Sequence, residues 1–239
     1  MTFHKSVVTR RNVPKRYQPK GFDILYEDDD IIVGNKSPGF LTVDAAWDKK
    51  ATNIYYGLNA YVRKGNSRSR KRVHVVHRLD QHTSGILIFA KTERAQAFLK
   101  DHWKDNQKIY YAVVHGRLSK KEGILESYLF EDDKYVVHSV DDSVRGKWSQ
   151  TKYAVLKETD RFTLVKVELL TGRKNQIRVH FADEGHPVVG DAKYGRSDTK
   201  YQRLALHAFS ITFTHPTSGV RMTFEAPTLD YFQALVGHW

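Results

Sequence analysis

Residues 77–91 read His77-Arg78-Leu79-Asp80-Gln81-His82-Thr83-Ser84-Gly85-Ile86-Leu87-Ile88-Phe89-Ala90-Lys91, and set one carboxylate, Asp80, two positions from a guanidinium, Arg78. An ionised carboxylate can serve as a nucleophile or a proton acceptor. A neighbouring guanidinium favours the ionised form. Thr83-Ser84-Gly85 is a small polar turn, and Ile86 to Ala90 is a short, wholly apolar run bounded by Gly85 and Lys91, which predicts a buried strand. Asp80 is therefore expected on a loop feeding a rigid element, where reactive groups are usually held. An isolated Asp in such a turn more often bonds its own backbone, so the rest of the chain decides between the two readings.

Two more side chains have suitable chemistry. Tyr110 and Tyr111 alternate along a predicted strand, Lys108 to Val114, so only one of them can face a substrate. The other reading of Tyr110 is plain strand packing. Arg178 lies on a short predicted helix, Asn175 to Ala182, stopped by Gly185 and Pro187. Its planar fork can grip a carboxylate through two bonds, or it is an ordinary surface cation. His74, His77 and His82 invite a metal reading. The first two would face opposite sides of a strand, no Cys or well-spaced carboxylate joins them, and no metal is expected. No phosphate-binding glycine loop and no Gly-x-Ser-x-Gly elbow occurs. The absence of cysteine excludes disulfides, thiolate metal sites and a thiol nucleophile.

These groups need a scaffold, and 239 residues suffice for a substantial core. Apolar residues at 40% and charged residues at 28% indicate a globular chain. Lys and Arg number 39 against 27 Asp and Glu, an excess of 12 that favours a polyanionic partner. Residues 1–20 carry six cations and no acid, with Pro14 and Pro19 discouraging regular structure, and are read as a basic arm. Residues 63–72 carry six more, directly ahead of Asp80. Such a run is either a solvated loop or a grip for phosphates. No apolar stretch suits a signal peptide or a membrane span, so a cytoplasmic protein with no membrane partner is expected.

Strands are predicted at 22–26 and 31–33 around an acidic turn, then at 123–129, 134–140, 150–157, 162–170, 204–213 and 220–224. Helices are predicted at Thr92–Trp103, with Thr92 as N-cap, and at Leu229–Val236. Many strands with few helices in irregular order argue for an α+β fold.

The segment around Asp80 resembles the catalytic motif of the RluA family of pseudouridine synthases, enzymes that isomerise uridine in RNA. Three later segments are similar to the same family, in its order. Lys108-Ile109-Tyr110-Tyr111-Ala112-Val113-Val114-His115-Gly116 resembles its tyrosine strand. Leu170-Thr171-Gly172-Arg173-Lys174-Asn175-Gln176-Ile177-Arg178-Val179-His180 resembles the segment carrying its basic residue. Residues 185–195 with Leu204-Ala205-Leu206-His207-Ala208 complete the likeness, which covers roughly 20–239. Departures are Gln81-His82 after the aspartate, Asn175 in place of a usual histidine, and Pro38 one place late in its turn.

The resemblance implies Asp80 as the essential carboxylate, Arg178 as its basic partner and Tyr110 as the ring lining the uracil pocket. It implies Arg78 as the group entering the RNA stack, with His77, Thr83, Ser84 and Gly85 as substrate-binding positions. It implies a long mixed, mainly antiparallel sheet flanked by helices, with a central RNA-binding cleft. One catalytic domain over 21–239 is expected, without a separate S4 domain. The implied enzyme is a monomer acting on rRNA or tRNA. Its isomerisation has no redox step, so neither cofactor nor metal is required. Two rivals stand beside it. A non-catalytic RNA-binding factor on the same scaffold would keep its role without Asp80, and a nucleic-acid glycosidase would release free uracil.

Overall fold

A computed structural model describes residues 19–43, 53–195 and 201–239. All but the last two residues of the basic arm lie outside these. The described residues form two compact units. One runs up to Asn106 and takes in Thr212–Ala226; the other is Gln107–Ile211 with Pro227–Trp239.

In the first unit, strands β1 (Phe22–Glu27) and β2 (Ile31–Lys36) form the expected hairpin. Asp28 Oδ1 closes its turn by accepting the Asp30 and Ile31 N–H groups at 2.8 Å. Helix α1 (Ile54–Arg63), which the sequence pattern did not predict, buries Ile54, Leu58 and Tyr61 and is capped by Asn53, whose side chain accepts the Tyr56 N–H. The short strand β3 (His74–Val75) pairs with β4 (Ser84–Ala90), which also pairs antiparallel with β2. Every residue of β4 is buried, as its unbroken apolar run requires. Helix α2 (Glu93–Asp101) starts where Thr92 accepts the Ala95 N–H, with Glu93 in its first turn.

In the second unit, β5 (Gln107–His115), β9 (Phe162–Leu169), β8 (Lys147–Glu158), β6 (Glu122–Glu131) and β7 (Val137–Val140) pair antiparallel in that spatial order. Val113, Val114, Leu164 and Val165 are fully buried in one core with Phe181 and Phe232. The last two come from helices α3 (Gln176–Asp183) and α4 (Asp230–Val236). The strand expected at 134–140 starts only at Val137. Asp132 accepts the Lys134 and Val136 N–H groups and Tyr135 takes a left-handed φ of 61°, so 132–136 is a turn. Strands β10 (Leu206–Thr214) and β11 (Arg221–Glu225) are the last strands, with Thr212 and Thr223 hydroxyls 2.9 Å apart.

Candidate active site

Asp80 lies half-buried on the loop between β3 and β4, as its position before an apolar strand predicted. Hydrogen bonds fix this loop on both sides of the carboxylate. On one side Leu79 is buried, and its backbone is held twice by Thr42. The Thr42 hydroxyl donates to Leu79 O at 2.9 Å and accepts from Leu79 N at 3.2 Å. On the other side Thr83 N closes a turn onto Asp80 O at 3.1 Å. Gln81 O accepts from Gly39 N at 2.8 Å, while Gln81 Nε2 donates to Gly39 O at 3.1 Å.

The strongest brace comes from Lys36, whose side chain is fully buried at the end of β2. Its ammonium donates to Phe40 O at 2.8 Å, Gln81 O at 2.9 Å and Ser37 O at 3.1 Å. Three carbonyls thus replace the water the cation loses. Burial pushes its pKa down to about 8, against the opposing pull of the Asp80 charge. Lys36 therefore ties the turn at 37–40 to the loop carrying Asp80, and places a cation whose field acts on that carboxylate.

The neighbouring motif residues divide by environment. Arg78 is exposed, whereas Thr83, Ser84 and Gly85 are buried. The Thr83 hydroxyl has no hydrogen-bond partner among the described residues. Gly85 takes φ 114°, a conformation side chains resist. His77 is locked into the scaffold, accepting from Ile88 N at 3.1 Å and stacking on Trp103 with centroids 4.4 Å apart. A different cluster, Asp28, Asp30 and His215, brings ligand-type atoms within 4.8 Å of one another. His215 Nε2 lies 2.8 Å from Asp28 Oδ2, which also accepts from the Tyr26 hydroxyl, so Asp28 and His215 are engaged in bracing the hairpin.

In the second unit, Tyr110 sits on β5 opposite Val167 and is partly buried against the core. Tyr111, alternating with it, stacks on Phe209 with centroids 4.3 Å apart. Arg178 lies in the first turn of α3. The loop before the helix is organised by buried Gln176. It accepts from Thr171 Oγ1 and Arg173 N, and donates to Gln150 O and Thr151 Oγ1. Asn175 takes the left-handed region at φ 55°, which an Asn tolerates.

Sequence reasoning missed the group that aims Arg178 within this unit. Asp191 takes the guanidinium in a two-pronged grip, Nε to Oδ2 at 2.7 Å and Nη2 to Oδ1 at 2.8 Å. Nη1 donates to Asn175 Oδ1 at 2.9 Å, and the guanidinium carbon stands 5.0 Å from the Tyr194 ring centre. The Asp191 side chain is 0% exposed and that of Arg178 13%. Burial raises the Asp191 pKa. The Arg178 hydrogen bonds and charge, with the Tyr194 and Lys193 N–H groups, outweigh it and hold the carboxyl below its usual range. Two glycines make this turn possible. A Cβ on Gly190, at φ 75°, would lie 2.0 Å from Arg203 O, and one on Gly195 would lie 2.2 Å from Asp191 O. The signal available in the sequence was an acidic residue set between those glycines.

Two solved human structures have this fold. The RNA pseudouridylate synthase domain containing 4 protein aligns with a TM-score of 0.72 at 20% identity, over 88% of this chain and 90% of its own. The domain containing 1 protein aligns at 0.71 and 24%, over 92% and 89%. The chain thus has the α+β fold of pseudouridylate synthase domains. The RNA pseudouridylate synthase family model matches residues 30–183, a span that includes Asp80, Tyr110 and Arg178. The uncharacterized RNA pseudouridine synthase YlyB of Bacillus subtilis is 36% identical over 222 residues, covering 88% of this chain and 70% of that one. The dual-specificity RNA pseudouridine synthase RluA of Escherichia coli is 34% identical over 209 residues, covering 85% and 92%. The chain belongs to the RluA family of RNA pseudouridine synthases, and is an isomerase acting on RNA.

Proposed function

We propose that this enzyme converts specific uridines of rRNA or tRNA to pseudouridine, with Asp80 as the essential carboxylate. The observation that carries the assignment is the bracing of the Asp80 loop by Thr42, Gln81 and buried Lys36, which fixes a carboxylate far more firmly than a surface turn needs.

The reaction breaks the C1′–N1 bond, turns the uracil and forms C1′–C5. The hydrogen on C5 leaves as a proton and the freed ring nitrogen gains one, so the composition is unchanged. Attack at C1′ and proton removal from the sugar both require Asp80 ionised. Arg178 supplies the basic counterpart, Tyr110 meets the uracil face, and Arg78 enters the stack as the base is extruded, a step costing a few kcal/mol. His77, Thr83, Ser84 and Gly85 shape the segment that meets the nucleotide. One catalytic domain over 21–239, with 1–20 as a basic arm, acts as a monomer in the cytoplasm. Among the described residues no helix is long and apolar enough to cross a membrane.

The test is pseudouridine mapping across total RNA from cells lacking the protein, complemented with wild type or Asp80→Asn. A uridine converted only with the wild type is expected. An identical map in both would overturn the reading and favour a non-catalytic binding factor.

A further inference from the structure

The first unit contains a cavity of about 420 Å³ away from the Asp80 carboxylate, within the usual range for small-ligand pockets. One wall is the start of α1, with Tyr55 and Tyr56 in edge contact, centroids 5.7 Å apart. Tyr56 is 60% exposed. A second wall is Arg72 to Val75. Buried Asn59 joins the two walls, donating to Tyr55 O at 2.9 Å and accepting from Val73 N at 3.0 Å. Gln96 of α2 also lines the cavity, its Nε2 bonded to Val75 O at 2.7 Å.

The chemistry of this lining is specific. It offers aromatic faces, the apolar side chain of Val73, and an imidazole, His74, whose pKa is lowered chiefly by burial and then by the Arg72 charge. A neutral imidazole presents both a donor and an acceptor to a heterocycle edge. Arg72 stands at the rim, bridged to Glu93 at 2.6 Å with both side chains largely exposed, an arrangement that holds it weakly. Arg72 ends the run 63–72, whose Arg63, Lys64, Arg68, Arg70 and Lys71 are all exposed. Stacking rings beside an exposed cationic track is the pattern by which proteins bind single-stranded nucleic acid. Val75 and Asp80 are five positions apart, a reach of at most about 18 Å. A base held here therefore belongs to a nucleotide near the one being modified.

We propose that the Tyr55–Tyr56–His74 cavity is a second base-binding site, which takes an unstacked nucleobase flanking the target uridine while the 63–72 loop holds the adjoining phosphates. The inference rests on the RNA-modifying role proposed above and assigns how the substrate is selected.

The probes are a fluorescent ten-nucleotide oligouridylate and an abasic ribose-phosphate oligomer of the same length, titrated against the full chain at several salt concentrations. Tyr56→Ala is expected to weaken oligouridylate binding roughly tenfold, the scale of one lost stacking contact. It should leave abasic binding and the salt slope as in the wild type. Tyr56→Phe, which keeps the ring, should restore oligouridylate affinity. Equal losses on both oligomers, or no loss on either, would overturn the proposal. The readout is binding and not turnover. Failure to form pseudouridine in total RNA would count against the proposed activity alone, and loss of the Tyr56 effect against this site alone.

Discussion

Asp191→Asn keeps the side-chain volume but removes the charge that balances Arg178. Asp191 Oδ1 also accepts from Lys193 N at 2.9 Å and Tyr194 N at 3.0 Å, so the amide nitrogen would be driven to the Oδ2 position. There it meets the Arg178 Nε–H, donor against donor. Removing one partner of a buried pair costs about 3–5 kcal/mol. Arg178 retains Asn175, the Tyr194 ring and some solvent, which points to the lower end, about 3 kcal/mol. For a chain of this size that is a fall of roughly 6–12 °C in Tm. A displaced guanidinium should also lower turnover, on the order of 100-fold for a shift near 1 Å. Because the folded Asp191 pKa is held below its unfolded value, its stabilisation is full above the unfolded pKa of about 3.9 and is lost as pH falls through the folded one. The wild-type advantage over Asp191→Asn should therefore shrink in acid. The assay is thermal melting from pH 7 to pH 3, with turnover measured well below Tm. A Tm shift under about 2 °C with turnover intact would refute the reasoning, because a buried pair broken on one side cannot cost so little.

Two further predictions come from buried titratable groups. The Lys36 pKa of about 8 lies below its unfolded value. The cost of burying its charge is full below pH 8 and fades as pH rises to the unfolded pKa. Wild type should gain about 3 kcal/mol relative to Lys36→Met between pH 8 and 10.5; urea unfolding that gives a flat difference would contradict the buried ammonium. His180, 3% exposed and bonded to Ser127 and Thr151 hydroxyls, has its pKa lowered to about 4, by burial against the opposing Asp183 charge. Its neutral form contributes stability that is full above the unfolded pKa near 6.5 and falls by about 3 kcal/mol as pH drops to 4. His180→Gln should lose this slope, and an unchanged acid profile would count against it.

Local chemistry made much of this legible. The Asp80 turn, the buried β4 run, the Thr92 cap and the α3 stop at Gly185 all depend on residues close in sequence. What escaped depends on distant partners. Lys36 sits in a turn-like Asn35-Lys36-Ser37-Pro38-Gly39 sequence that reads as solvated, and its burial is explained by the carbonyls of Ser37, Phe40 and distant Gln81. Asp191 meets Arg178 across thirteen positions through a turn that only Gly190 and Gly195 permit. Helix α1 has Gly57 in mid-helix, which weakens its local preference; at that position a Cβ would lie 3.3 Å from Pro19. The 132–136 turn escaped because Tyr135 and Val136 favour strands, while the Asp132 carboxylate overrides them.

The most direct test of Asp80 as the reacting carboxylate is tritium release from RNA labelled at uracil C5, with purified wild type and Asp80→Asn. Release to solvent by the wild type is expected, with no free uracil and no chain break, and no release above background by Asp80→Asn, which still binds the RNA. Equal release by both proteins would contradict that role.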